Sequence, residues 1–228
     1  MLKRLWLIFG PIFIAGFLVL LLIFFYPSTT SHNLTEEKYS AASVSTESFK
    51  ERIQKVRALT DPNMRFIPFL GSSEWVRFDS VHPAVLAEKY NRPYRPYFLG
   101  QAGATSLIHY FGLQQILPEI ENKQAVFVIS PQWFTQSDVD SSAFQSYFNS
   151  DQLTAFLENQ SGDIETKHAA TRLLKQNPSV ALKGILQKLS EGEELSEVDR
   201  VTIDIFARFN EKQSSLFGQF SIRGKLKY

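Results

Sequence analysis

From Leu5 to Tyr26 the chain runs for 22 residues without a charged side chain, LWLIFGPIFIAGFLVLLLIFFY. About 20 apolar residues suffice to cross the hydrocarbon core of a bilayer, so the run predicts a transmembrane helix. Lys3 and Arg4 precede it, which places the N-terminus in the cytoplasm, and Trp6 and Tyr26 stand where interfacial aromatics belong. A cleavable signal peptide would have a shorter apolar core and a small-x-small exit. Here the exit reads Phe24-Phe25-Tyr26-Pro27. The bulk of the chain is then expected outside the cell, tethered to the outer face of the cytoplasmic membrane.

Composition narrows what that outer part can do. There is no Cys, which excludes disulfides, zinc knuckles and thiol nucleophiles. The four His are scattered singly, so a metal site built on closely spaced His is not expected, and no cofactor is expected either. Setting aside Lys3 and Arg4 leaves 22 basic side chains against 23 acidic ones, a balance that excludes a polycation built to hold nucleic acid.

Four regions follow: residues 1–26 as cytoplasmic stub and anchor, 27–60 as juxtamembrane linker and helix, 61–140 as an α/β unit, and 141–228 as a helical region. Pro27 to Asn33 is a polar exit linker. Tyr39, Ala42, Phe49, Ile53 and Val56 have helical spacing, which predicts one helix over Glu36–Leu59 lifting the domain from the lipid. Strands are expected over Arg65–Leu70, Tyr94–Leu99 and Ala125–Ile129, with helices over His82–Tyr90 and Thr105–Leu117 between them, Pro118 marking the second helix's stop. That alternation predicts βαβαβ and a parallel sheet. Pro68 and Pro96 fall inside two of the strands and push both toward edge or bulge positions. Beyond Pro131 the pattern is helical, around Ser142–Glu158, Ile164–Gln176, Val180–Leu189 and Ser196–Phe217. The basic tail Arg223–Tyr228 reads as a solvated end.

Chemistry in a parallel sheet sits outside the carboxyl ends of its strands. The first strand leads into Gly71-Ser72-Ser73-Glu74. A hydroxyl at such a turn lies beside backbone N–H groups that a helix start leaves unpaired, which suits nucleophilic attack and oxyanion stabilisation. The second strand leads into Gly100-Gln101-Ala102-Gly103, where glycine lets the backbone approach whatever lies beyond the first strand. The third leads into Ser130-Pro131-Gln132-Trp133-Phe134, whose side-chain amide at Gln132 can aim N–H donors at the same space. Each turn alone is ordinary.

In their order, these three turns resemble the nucleophile and oxyanion blocks of the SGNH (GDSL-like) esterases and acyltransferases. More closely, the set Phe69-Leu70-Gly71-Ser72-Ser73-Glu74-Trp75, His82-Pro83, Gly100-Gln101-Ala102-Gly103 and Ser130-Pro131-Gln132-Trp133-Phe134, behind a basic-flanked N-terminal span, resembles the DltD family of teichoic-acid D-alanylation proteins. The resemblance implies an SGNH-like, flavodoxin-like parallel sheet. It implies Ser73 as the nucleophile, with Ser72 as the alternative, and Gly100 and Gln132 as oxyanion donors. Gln132 stands where the superfamily has Asn. The implied partners are a DltB-type membrane acyltransferase and lipoteichoic acid, to which D-alanine is transferred outside the cell. A non-catalytic anchored subunit of the same system and a membrane-tethered esterase are the other readings.

The superfamily's acid and base come from a C-terminal Asp-x-x-His block, and none follows Trp133. Asp163 precedes His168 by five positions, not three. Asp79-Ser80-Val81-His82 has the spacing but lies just after the nucleophile turn, and His109 falls on the helix after Gly103. The chain therefore reads as the N-terminal part of a longer protein, its helical region an insertion between sheet halves, nearly inactive alone.

Overall fold

Three apolar segments pair in parallel at the centre of the molecule. In a computed structural model, which describes residues 2–25, 32–134 and 140–225, these are β1 (Phe66–Leu70), β2 (Arg95–Leu99) and β3 (Val126–Phe127), in the order β2-β1-β3. This is the start of a flavodoxin-like order, with β1 in the middle and the chain crossing from β2 to the other side of β1. The register sets Pro68 opposite Tyr97 and Phe69 opposite Val126.

Pro96 sits at an edge as expected, but Pro68 lies in the central strand. Ladder parity explains how. The Arg95 N–H donates to the Arg65 carbonyl, the Gly71 N–H to Leu99, and the Val128 N–H to Leu70. Odd-numbered residues of β1 therefore bond toward β2 and even-numbered ones toward β3. The donor that Pro68 lacks would point to the β3 side just before β3 begins, and the donor Pro96 lacks points away from β1 at the open edge.

The alternation of β1 divides two cores. Phe66 and Leu70, with Tyr97 and Leu99, join the main cluster, while Ile67, Phe69 and Phe98 pack with Trp75 on the opposite face. The main face is covered by α2 (Leu34–Ala42), α4 (Arg52–Leu59) and α6 (Ser106–Gln114), the other by α5 (Pro83–Lys89). Residues 36–59 thus do not form one stalk helix. They break into α2, α3 (Thr46–Lys50) and α4 because Ser45 caps α3 in a reciprocal box with Ser48, and all three helices contribute buried residues. The Ser40 hydroxyl meets the Tyr97 hydroxyl at 2.8 Å, fixing α2 to β2.

Beyond β2, α6 ends early and Pro118 opens a short α7 (Leu117–Ile120) instead of stopping a helix, as proline can at a first turn. The helical region comprises α8 (Ser141–Tyr147), α9 (Ser150–Asn159), α10 (Ile164–Gln176), α11 (Lys183–Glu191) and α12 (Glu197–Lys225). Asn149 and Gln152 form a second capping box, which splits the single helix expected over Ser142–Glu158. Phe144, Tyr147, Phe156, Leu173 and Leu186 join the same main core.

The N-terminal run is a continuous helix, α1 (Leu2–Phe25), with Pro11 inside it. Among the residues whose side chains are described, no helix is both long and apolar enough to cross a membrane, so the expected span has no support from them. Tyr26, most of the exit linker and the last residues of the basic tail lie outside the described residues. β3 is shorter than expected and exposed: Val126, Phe127, Val128 and Ile129 are 38%, 43%, 37% and 57% accessible.

Candidate functional site

The three strand ends do meet, and His109 is the piece that joins them. It is fully buried on α6, and its Nε2–H donates to the Gly71 carbonyl at 2.8 Å. That bond fixes the tautomer. Rings of Phe49, Phe127 and Trp133 surround the imidazole, so residues from before β1, from β3 and from the turn after β3 all close on it. Burial holds its pKa down to about 4, and it is neutral at physiological pH. His109 therefore faces no substrate; it positions the turn after β1.

Gly100 closes the same junction. Its φ is +108°, and a Cβ there would lie 2.2 Å from the Gly71 carbonyl oxygen and 3.0 Å from His109. The close approach expected of this glycine is thus to the turn after β1 itself. Gly71 is required for a different reason, because a Cβ would collide with the Glu74 carboxylate and the Trp75 ring. Tyr147 of α8 clamps the second turn, accepting from the Gln101 N–H at 3.2 Å and donating to the Ala102 carbonyl at 3.1 Å. Burial raises its phenol to about 12.

The two serines have different surroundings. The Ser72 N–H donates to Glu74 Oε1 at 2.6 Å, and the Ser72 hydroxyl donates to the Gln101 carbonyl at 3.3 Å. Ser73 opens the 3₁₀ turn Ser73–Val76 and is exposed. Ser72 and Gln132 line one cavity of about 960 Å³, together with Gly103 and Trp133. Ser73 is not among its lining residues. Its far wall is α10, which presents Glu165, His168 and Arg172.

Motif spacing does not place His168 and Arg172 on this cavity. The helical period puts positions 165, 168, 169 and 172 on one face of α10, but not opposite the strand ends. Asp163 instead caps α10, accepting from the Thr166 N–H at 2.7 Å. The Asp79–His82 pair is also accounted for structurally. Asp79 accepts from the Val81 N–H, His82 caps α5 by accepting from Ala84, and the imidazole stacks on Phe78 at 4.2 Å. His82 is 3% exposed and bonds the Trp75 carbonyl, so it has no route to a substrate hydroxyl.

A family model described as DltD protein matches residues 41–228, a range that contains every residue of this junction and cavity. The chain belongs to the DltD family. Among curated relatives, Protein DltD of Lacticaseibacillus rhamnosus is 38% identical over 203 residues, covering 84% of this chain and 47% of the relative. Protein DltD of Bacillus subtilis (strain 168) is 29% identical over 183 residues, 79% of this chain and 46% of the relative. Protein DltD of Staphylococcus aureus (strain NCTC 8325 / PS 47) is 28% identical over 188 residues, 80% and 47% respectively. This DltD-family chain thus spans about half the length of the curated relatives it matches. Among its described residues, His109 and Tyr147 hold the turns after β1 and β2 in place.

Proposed function

We propose that the chain carries the nucleophile half of an SGNH-type site that transfers D-alanine to lipoteichoic acid outside the cell, held at the membrane by Leu5–Tyr26. The observation that carries this reading is the junction of Gly71, Gly100 and His109, which seats the turn holding Ser73 beside the backbone of a second strand end. Ser73 is favoured over Ser72 because the Ser72 N–H is taken by Glu74 and its hydroxyl by Gln101. An attacking serine in this superfamily needs its own N–H for the oxyanion.

In this mechanism Ser73 Oγ attacks the acyl carbon of the D-alanyl donor. The oxyanion is met by N–H groups of Ser73 and Gly100 and by the Gln132 amide. The donor's carrier leaves with the proton taken from Ser73, and a teichoic-acid hydroxyl then attacks the Ser73 ester, taking the D-alanyl group and restoring the Ser73 hydroxyl. The base that removes the Ser73 proton is neither His82 nor His109, since both bond backbone carbonyls. The membrane-anchored geometry and the DltB-type acyltransferase partner are part of the same proposal. The anchor rests on the uncharged 22-residue run of the sequence.

The test is cell-surface D-alanine, measured as ester released from lipoteichoic acid in the bacterium that makes this protein. Ser73→Ala should reduce it to the level of a deletion, and Ser72→Ala should leave most of it. Ester at the wild-type level in Ser73→Ala would remove the nucleophile assignment and leave the anchored, non-catalytic role.

A further inference from the structure

Away from the three turns, the carboxyls of Glu37 and Asp61 come together where the start of α2 meets the loop into β1. Glu37 on α2 and Asp61, in the loop that leads to β1, each have side chains 1% exposed. Glu37 Oε2 and Asp61 Oδ2 find no other group to bond, and the two carboxyls interact with each other, which helps raise the Glu37 pKa and lower that of Asp61. Glu37 Oε1 lies 3.0 Å from His32 Nδ1, and Asp61 Oδ1 accepts from the N–H groups of Asn63 and Met64 at 2.7 and 2.6 Å. His32 Nδ1 is also 3.9 Å from Asp61 Oδ2, and one ligand atom from each of the three residues lies within 4.8 Å of the others.

We propose that His32, Glu37 and Asp61 bind one divalent transition-metal cation of the Zn²⁺ type. Two carboxyls in contact require a shared proton or a cation between them, because like charges brought together without a counter-charge are costly. The imidazole nitrogen decides the class. One nitrogen and two carboxylates suit Zn²⁺, whereas Ca²⁺ and Mg²⁺ take oxygen ligands. Ligands on metal bonds of about 2.0–2.2 Å in a tetrahedron lie about 3.4 Å apart, and the observed 3.0 and 3.9 Å straddle that value. His32, at 35% exposed, leaves a side open for a water as fourth ligand.

The sequence argues against such a site, since no two candidate ligands form a short motif. The fold supplies it by returning the end of α4 beside the start of α2. The cation would pin the segment that follows α1 to the loop that enters the sheet, fixing how the domain meets its N-terminal helix.

The test uses the full chain in detergent, stripped with EDTA, dialysed, and titrated calorimetrically with ZnCl₂, MgCl₂ and CaCl₂. One Zn²⁺ per chain is expected, with a higher thermal midpoint on binding. His32→Ala, which removes a partly exposed ligand, should fold as wild type by circular dichroism and weaken Zn²⁺ at least about tenfold. Glu37→Gln should do the same. Zn²⁺ binding unchanged in His32→Ala, no binding at all, or Mg²⁺ and Ca²⁺ binding as tightly as Zn²⁺ would each overturn the assignment and leave a proton shared between the two carboxyls.

Discussion

His109 shows how one buried residue ties the fold to the chemistry at the strand ends. Its neutral ring holds the Gly71 carbonyl, and burial depresses its pKa from 6.5 to about 4. The unfolded chain takes up this proton first as pH falls. Stability from this group is therefore complete above about pH 6.5 and is lost progressively toward pH 4, by on the order of 3 kcal/mol in total. Urea denaturation at pH 7 and pH 4.5 should show the loss, and His109→Gln should flatten the dependence in that window. At Gly100 the same junction gives a steric prediction. With φ at +108° and the Gly71 oxygen 2.2 Å from where a Cβ would be, Gly100→Ala should destabilise the chain by about 2 kcal/mol or more, read as a lower urea midpoint.

At the scale of elements, Tyr147 is the sharpest test of how α8 supports the site. Tyr147→Phe keeps the packing and removes both hydrogen bonds to the turn at Gln101 and Ala102, so it should cost about 1–2 kcal/mol and lower D-alanyl ester more than it lowers protein abundance. Elements with local signals were legible in the sequence. Helix α10 falls on its expected span, Ile164–Gln176, because Asp163 caps it and its apolar period is unbroken. The breaks were harder to read: Ser45 with Ser48 and Asn149 with Gln152 are capping boxes inside stretches whose apolar spacing runs on, and periodicity alone joins them into long helices. Pro68 misled in the opposite way. Which neighbour a strand residue bonds is set by pairing register, and one sequence does not contain it.

For the whole molecule, the sheet is asymmetric. β1 is buried at every residue, whereas β3 shows Val126 and Phe127 to solvent and continues into exposed Val128 and Ile129. An open apolar edge invites pairing with another chain. Val128→Lys should therefore raise the concentration at which the isolated chain stays monodisperse by light scattering, with little change in thermal midpoint. The candidate site divides along the same line. The turns carrying Ser73, Gly100 and Gln132 were readable because each is a short motif at a strand end. His109's positioning role and the α10 wall were not, since both depend on packing between distant segments.

The central claim is that Ser73 is an acyl-accepting nucleophile. It is tested most directly by treating membranes of the bacterium that makes this protein with a serine-reactive fluorophosphonate and mapping the adduct by peptide mass spectrometry. Modification is expected on Ser73, abolished by Ser73→Ala and retained in Ser72→Ala. An adduct on Ser72, or labelling that persists in Ser73→Ala, would contradict it.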